Sequence, residues 1–135
     1  MDVLSMLVNR NIETVEHHAS LRTAAQVMRD KKIGSLLVRK EGKTVGIISE
    51  TDLARRAVAE GFVPDQVKVE TIMSSPIITI DMGSTPEMAN DLMKDKGIRH
   101  LAVTEQGEIV GVISVRDLLR YFKIYYDGIG TLMKK

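Results

Sequence analysis

Residues 12–55 align with residues 77–120 at a constant offset of 65, without a gap and with 17 identities in 44 positions. Thr14-Val15 falls on Thr79-Ile80, Val45-Gly46-Ile47-Ile48-Ser49 on Val110-Gly111-Val112-Ile113-Ser114, and Asp52-Leu53 on Asp117-Leu118. A repeat of this kind sets the structural unit before any element is assigned. Two copies are too few for a solenoid, which needs about three or more stacked units. The 135-residue chain has the length of one ordinary domain. A chain of that length buries about two-thirds of its unfolded surface. The expectation is therefore one module built from two half-units with a shared core.

Composition narrows the function classes. With 19 Lys+Arg against 18 Asp+Glu the chain is nearly neutral, which argues against nucleic-acid or membrane binding by bulk charge. There are no cysteines, so disulfides and thiolate metal sites are excluded. No apolar run approaches the roughly 20 residues of a membrane span. Met1 to Asn9 lack the basic start and long apolar stretch of a secretory signal. A soluble cytoplasmic protein is the expectation.

Each copy reads β-α-β-β-α. Ser20 stands as an N-cap before Leu21, Ala24, Ala25, Val27 and Met28, which are apolar at helical spacing. In the second copy Thr85 is the cap, and Pro86 takes the first helical position, where its missing N–H costs nothing. Met88, Ala89, Leu92 and Met93 continue the stripe, and Gly97 suits the stop. Strands are predicted at Ile33 to Val38 and Ile98 to Val103, then at Thr44 to Ser49 and Ile109 to Ser114, with hairpin turns at Gly42 and Gly107. A closing helix begins near Asp52 or Asp117, and Thr14-Val15 and Thr79-Ile80 supply a short extended piece. Gly46 and Gly111 lie inside strand patterns, which implies close backbone approach or a bulge. Leu7 matches Ile72, so a short helical lead-in precedes each copy. The fold class is α/β (α+β-like). Helices on one face of each sheet leave the other face apolar, so the two units are expected to pack sheet to sheet with pseudo-two-fold symmetry. In chain order the division is 1–62, a connection at 63–69 carrying Pro64, 70–126, and a tail at 127–135 that is expected to fray.

The segments Gly46-Ile47-Ile48-Ser49-Glu50-Thr51-Asp52-Leu53 and Gly111-Val112-Ile113-Ser114-Val115-Arg116-Asp117-Leu118 resemble the signature of cystathionine β-synthase (CBS) domains. That signature is a glycine-led apolar strand, Ser or Thr, two residues, Asp, and an apolar helix. The resemblance covers about residues 5 to 122 in two tandem copies, so the chain is similar to a stand-alone CBS pair, or Bateman module. It implies a regulatory module, not an enzyme, for adenosine-containing ligands: AMP, ADP, ATP, NADH or S-adenosylmethionine. No cofactor is required, although Mg2+ would accompany ATP. In the family the Asp takes the ribose hydroxyls, the preceding Ser or Thr helps hold phosphate, and apolar residues near the first strand sandwich adenine. Family sites draw on both repeats. The resemblance thus groups Ser49, Thr51 and Asp52 with Ile77, Ile78, Thr79, Arg99 and His100, and Ser114, Arg116 and Asp117 with Ile12, Thr14, Gly34 and Ser35.

The residue chemistry is compatible with those roles. An ionised Asp is acceptor-only, and its two oxygens can accept both hydroxyls of a cis-diol. Ser49 and Ser114 sit before a helix N-terminus, which favours anions. Arg99-His100, where the first copy has Gly34-Ser35, and Arg116, where it has Thr51, would suit phosphates. Plainer readings stand beside these. Asp52 and Asp117 could be N-caps, Ser49 and Ser114 strand-end residues, Arg99 a solvated cation and His100 a structural imidazole. Strand alternation sends adjacent side chains to opposite faces, so Arg99 and His100 meet one ligand only if the strand starts at Leu101.

Ser114, His100 and Asp117 form no recognisable triad, because no G-x-S-x-G elbow is present. His17-His18 lacks a partner at metal-ligand spacing, and phosphate-loop and dinucleotide fingerprints are absent. Tyr121, Phe122, Tyr125 and Tyr126 gather on one side of the last helix. They read as internal packing or as a subunit interface, and the resemblance favours a homodimer acting on a regulated protein not named by the sequence. A ligand-independent interaction scaffold is the alternative, with nucleic-acid binding a weaker one.

Overall fold

The structure is a computed structural model that describes residues 2–133, with side chains described to Gly128. In chain order the elements are α1 (Val3–Leu7), β1 (Thr14–Glu16), α2 (Leu21–Lys31), β2 (Ser35–Lys40), β3 (Lys43–Ser49) and α3 (Glu50–Asp52). A π-helical segment (Leu53–Val58), a 3-10 turn (Pro64–Gln66) and α4 (Val69–Ile72) follow. The second half holds β4 (Thr79–Asp81), α5 (Pro86–Lys96), β5 (His100–Glu105), β6 (Glu108–Ser114) and α6 (Val115–Met133). The β-α-β-β-α order thus appears twice. Each copy has a three-stranded sheet with β2 or β5 in the centre, a parallel neighbour on one side and an antiparallel one on the other.

Local chemistry explains the element ends. Ser20 Oγ accepts from Thr23 N, and Thr85 Oγ1 from Met88 N, each at 3.1 Å, so both expected caps form. Glu41-Gly42 and Gln106-Gly107 all have positive φ, as a two-residue type I′ hairpin turn requires. Strands β2 and β5 begin two residues later than the alternation predicts. The cause is the helix stop: Lys32 and Gly97 are left-handed, and Ile33 N and Ile98 N each reach back to the carbonyls of Met28 and Met93 at 3.0 Å. This Schellman arrangement takes Ile33 and Ile98 into the helix ends. The closing helix starts at Glu50 or Val115, two residues before the expected Asp, because Ser49 caps α3. The copies then diverge. Residues 53–58 are wound as a π-helix, closed by Ala59 N to Ala54 O at 3.0 Å, whereas α6 runs regularly. It continues through Asp127 and Gly128 to Met133, where fraying was expected; Lys134 and Lys135 lie outside the described residues.

Packing divides the molecule differently from chain order. Residues 12–78 form one compact unit, and residues 79–135 form the other together with residues 1–11. The lead-in of each copy therefore docks on the other copy's sheet. In the 12–78 unit, Ser74 exchanges two backbone bonds with Ile47 (2.8 and 3.0 Å); in the other, Asn9 does so with Val112 (2.9 and 3.0 Å). These bonds cap the open edges of β3 and β6, which would otherwise expose unpaired backbone groups. Val69 and Leu4, equivalent positions in the two lead-ins, are completely buried. Val69 and Ile72 join Val15, Leu21, Met28, Leu36, Val38 and Ile48 in one core.

The close crossing needs glycine on the strand. A Cβ on Gly46 would lie 2.7 Å from Ser74 O, and one on Gly111 would lie 2.6 Å from Asn9 O. Both glycines stand next to a register shift in their hairpin, so close approach and bulge occur together. Gly46→Ala is expected to destabilise the protein by about 1–3 kcal/mol, the range for overpacking, read as a lower urea midpoint. A second outcome separates the copies. Lys32 (φ 56°) does with a side chain what Gly97 (φ 65°) does without one. Relief of left-handed strain, partly offset by unfolded-state entropy, makes Lys32→Gly stabilising by about 0.5–1 kcal/mol, and Gly97→Lys destabilising by a similar amount in the same assay.

Candidate functional site

The two Ser-x-x-Asp segments fold into the same reciprocal junction. Asp52 Oδ2 accepts from Ser49 N (2.9 Å) and Ser49 Oγ (3.1 Å), while Ser49 Oγ accepts from Asp52 N (3.2 Å). Asp117 and Ser114 repeat this at 2.9, 3.0 and 3.2 Å. The Ser is thus the N-cap and the Asp closes a capping box three residues on. The simple reading of Asp as N-cap is corrected: at that position it reaches back, and the shorter Ser sits at the strand end. Each box uses one carboxylate oxygen and leaves the other, Oδ1, without a hydrogen bond among the described residues. All four side chains are partly exposed.

Strand register sets the neighbours. Ser35 lies opposite Ser49 and His100 opposite Ser114. Glu50 N donates to Gly34 O (3.0 Å) and Val115 N to Arg99 O (2.9 Å). Gly34-Ser35 and Arg99-His100 are thereby brought against the Ser-x-x-Asp junction of their own copy, whereas the resemblance groups each pair with the junction of the other copy. β5 begins at His100, not at Leu101, so the condition set for Arg99 and His100 to meet one ligand is not met. Thr14 and Thr79 are exposed on β1 and β4, in register with Leu37 and Ala102. Ile12, Ile77 and Ile78 are half-buried in the 12–78 unit. Thr51 occupies the first turn of α3, and Arg116 that of α6.

The electrostatics of the two junctions differ. The backbone at Ser114 is flanked by Arg99 and Arg116, both exposed, whose guanidiniums are neither hydrogen-bonded nor ion-paired among the described residues. Around Ser49 the cation is one that sequence reasoning missed. Arg56 Nε lies 3.8 Å from Asp52 Oδ1, and its Nη1 donates to Ile72 O (3.1 Å) and Met73 O (3.4 Å). The i,i+4 spacing of Asp52 and Arg56 was a legible signal; the second copy has Tyr121 there. His17 was also undervalued. Its Nδ1 meets Glu70 Oε2 at 2.7 Å across 53 positions of sequence, pinning α4 beside β1. The hydrogen bond from His17 holds the Glu70 carboxyl below its ordinary range, with help from the charges of His17, Lys40 and Lys68.

Two tandem sheets, each ending in a glycine-led strand and a Ser-Asp junction, define a class of paired modules. The model of the CBS domain matches residues 3–59 and 69–124, and the chain belongs to the CBS domain family as a tandem pair. An uncharacterized protein of Methanopyrus kandleri is 36% identical over 113 residues, or 82% of this chain and 58% of that protein; the chain thus spans little more than half of that relative. The structure of a CBS-domain protein from Burkholderia ambifaria superimposes with a TM-score of 0.84 at 29% identity, over 90% of this chain and 93% of that one. A hexameric CBS-CP12 protein from bloom-forming cyanobacteria gives a TM-score of 0.78 at 28% identity, over 84% of this chain and 64% of that one. Among the described residues no helix is long and apolar enough to cross a membrane.

The pin at Glu70 has a pH signature. A carboxyl whose pKa is depressed on folding contributes stability above its unfolded value, and loses it as pH falls through the folded value. The difference in Tm between wild type and Glu70→Gln should therefore be fully present above the ordinary value for Glu70. It should shrink as pH falls below 4.5, the ordinary value for Glu70. A difference that stays constant down to acid unfolding would remove the His17–Glu70 pair as its source.

Proposed function

We propose that this chain is a non-catalytic regulatory module that binds adenosine-containing ligands at its Ser49–Asp52 and Ser114–Asp117 junctions and passes occupancy to a partner protein in the cytoplasm. The observation that carries the reading is the capping box. It orients each aspartate through Oδ2, and leaves a second acceptor for a ribose hydroxyl. A hydrogen bond to a charged group contributes about 1.5–3 kcal/mol, so a carboxylate oxygen that accepts no hydrogen bond from the capping box is a substantial anchor. The family resemblance gives the same aspartates to ribose, and the Burkholderia ambifaria relative has been assigned provisionally to signal transduction. A hydrolytic role for Ser114 fits poorly, because its hydroxyl proton is directed to Asp117.

The cations favour unequal ligands. Arg99 and Arg116 beside Ser114 suit a polyphosphate such as ATP with Mg2+, whereas Gly34 and Thr51 beside Ser49 suit a ligand with less phosphate charge. Self-association fits the last helix. Tyr125 and Tyr126 remain 49% and 63% exposed, although Tyr121 and Tyr125 stack at 6.1 Å. Hexamer formation in the CBS-CP12 protein is a precedent for assembly, and a homodimer is the simplest form here.

Titration with AMP, ADP, ATP, NADH and S-adenosylmethionine, following Tm, tests the reading. A ligand at about 100 times its dissociation constant should add roughly 2.7 kcal/mol. Asp52→Ala and Asp117→Ala should each abolish one binding event in calorimetry. Silence from every compound at millimolar concentration would end the nucleotide reading. If each variant costs only the roughly 1 kcal/mol of a lost cap and partner binding is unchanged, the scaffold alternative takes its place.

A further inference from the structure

Among the polar side chains of the 12–78 unit, Arg56 alone bridges a candidate ligand residue and the segment through which the chain leaves that unit. Its Nη1 donates to the carbonyls of Ile72 and Met73, the last turn of α4 and the residue after it. Those carbonyls have no partner in so short a helix, and a cation at a helix C-terminus is favoured there. Its Nε faces Asp52 Oδ1 at 3.8 Å. That oxygen is the one the capping box leaves open. The Asp52 side chain is 13% exposed and Arg56 54%, so the aspartate is the fixed end of the pair and the arginine the adaptable one. Beyond Met73 the chain pairs with β3 at Ser74, and from Thr79 it belongs to the other unit.

We propose that Arg56 is a positioning residue that couples ligand occupancy at Asp52 to the hold on α4. This rests on the nucleotide reading of Asp52. A hydroxyl arriving at Oδ1 must share that oxygen with the guanidinium, and the guanidinium then changes how it holds Ile72 and Met73. By linkage the effect is reciprocal: whatever alters the grip on α4 alters affinity at Asp52 by the same factor. The second copy lacks the device, because Tyr121 stands where Arg56 would be. Occupancy at Asp117 therefore has no such link to α1. The two junctions share their anchoring chemistry and differ in what they report.

Two arms test this, the first without ligand. Amide exchange at Met73, bonded to Val69 O, reads the hold on α4, and exchange at Val8, bonded to Leu4 O, is the control in the other copy. Asp52→Asn and Arg56→Met should each speed exchange at Met73 about two- to fivefold, as an exposed ion pair allows. The double variant should be no faster than either single one. Asp117→Asn should leave Val8 unchanged. Additive effects at Met73, or no effect of Asp52→Asn, would overturn the coupling.

In the second arm AMP, which carries the least phosphate charge of the three adenine nucleotides, is titrated calorimetrically in an Asp117→Ala background. There Arg56→Met should tighten binding at Asp52 about two- to fivefold by removing the competitor for Oδ1. Unchanged affinity would also overturn the proposal. If AMP fails to bind in the Asp117→Ala background, the nucleotide reading of Asp52 falls, while the exchange arm still decides whether Asp52 and α4 are coupled. Should Arg56→Met not fold, Arg56→Lys keeps the charge near Asp52 but loses the fork, and should show the same loss of coupling at Met73.

Discussion

Each sheet of this protein is completed by backbone from the other copy's lead-in, and the remaining structure follows from that crossing. Ser74 on Ile47 and Asn9 on Val112 close the edges of β3 and β6 with two hydrogen bonds apiece. Buried backbone groups must be paired, so the crossing does for each edge what a fourth strand would do. It is possible only because Gly46 and Gly111 present no side chain at the point of contact. Val69 and Leu4 are buried completely by the same docking. A single copy taken in chain order would lack both the edge bonds and that apolar residue. The duplication is thus one of mutual completion, and neither copy is a self-sufficient domain.

The strand so protected ends in the residues of the candidate site. β3 and β6 run directly into Ser49 and Ser114, whose capping boxes start the closing helices. Fixing the strand edge fixes the origin of the helix, and with it one carboxylate oxygen. The remaining oxygen is what makes the junction usable by a ligand. Structural and functional readings of the aspartates therefore do not compete. Oδ2 serves the fold, while Oδ1 makes no hydrogen bond among the described residues and in the first copy faces Arg56.

Asymmetry enters at side chains that decorate this shared frame. Arg99 and Arg116 flank one junction along the backbone, and neither is ion-paired among the described residues. Arg56 engages the other from the π-helical turn and ties it to α4. His17 and Glu70 add a second polar tie to α4, where the equivalents Met82 and Ser5 can form no ion pair. The side-chain ties to α4 in the 12–78 unit, from His17 and Arg56, thus have no counterpart at the equivalent residues Met82 and Tyr121. α1 and α4 bury equivalent apolar residues but differ in how their ends are held.

By itself the sequence determined what repeats and what is locally encoded. The offset of 65, the N-caps Ser20 and Thr85, the hairpin turns at Gly42 and Gly107 and the Ser-x-x-Asp spacing are short-range patterns, whose energetics lie within a few residues. They were enough for β-α-β-β-α twice and for the candidate aspartates. Boundaries shifted where a local bond won unnoticed: Ile33 and Ile98 joined the Schellman ends of their helices, and Ser49 and Ser114 moved the helix start forward. Only the tertiary structure decided where each lead-in docks, what backbone Gly46 and Gly111 approach, and which residues of α4 Arg56 and His17 hold. Those contacts join residues far apart in the chain, 16 positions from Arg56 to Ile72 and 53 from His17 to Glu70. No periodicity or local propensity encodes such a pairing; it is set when burial of Val69 and Ile72 carries α4 onto the sheet.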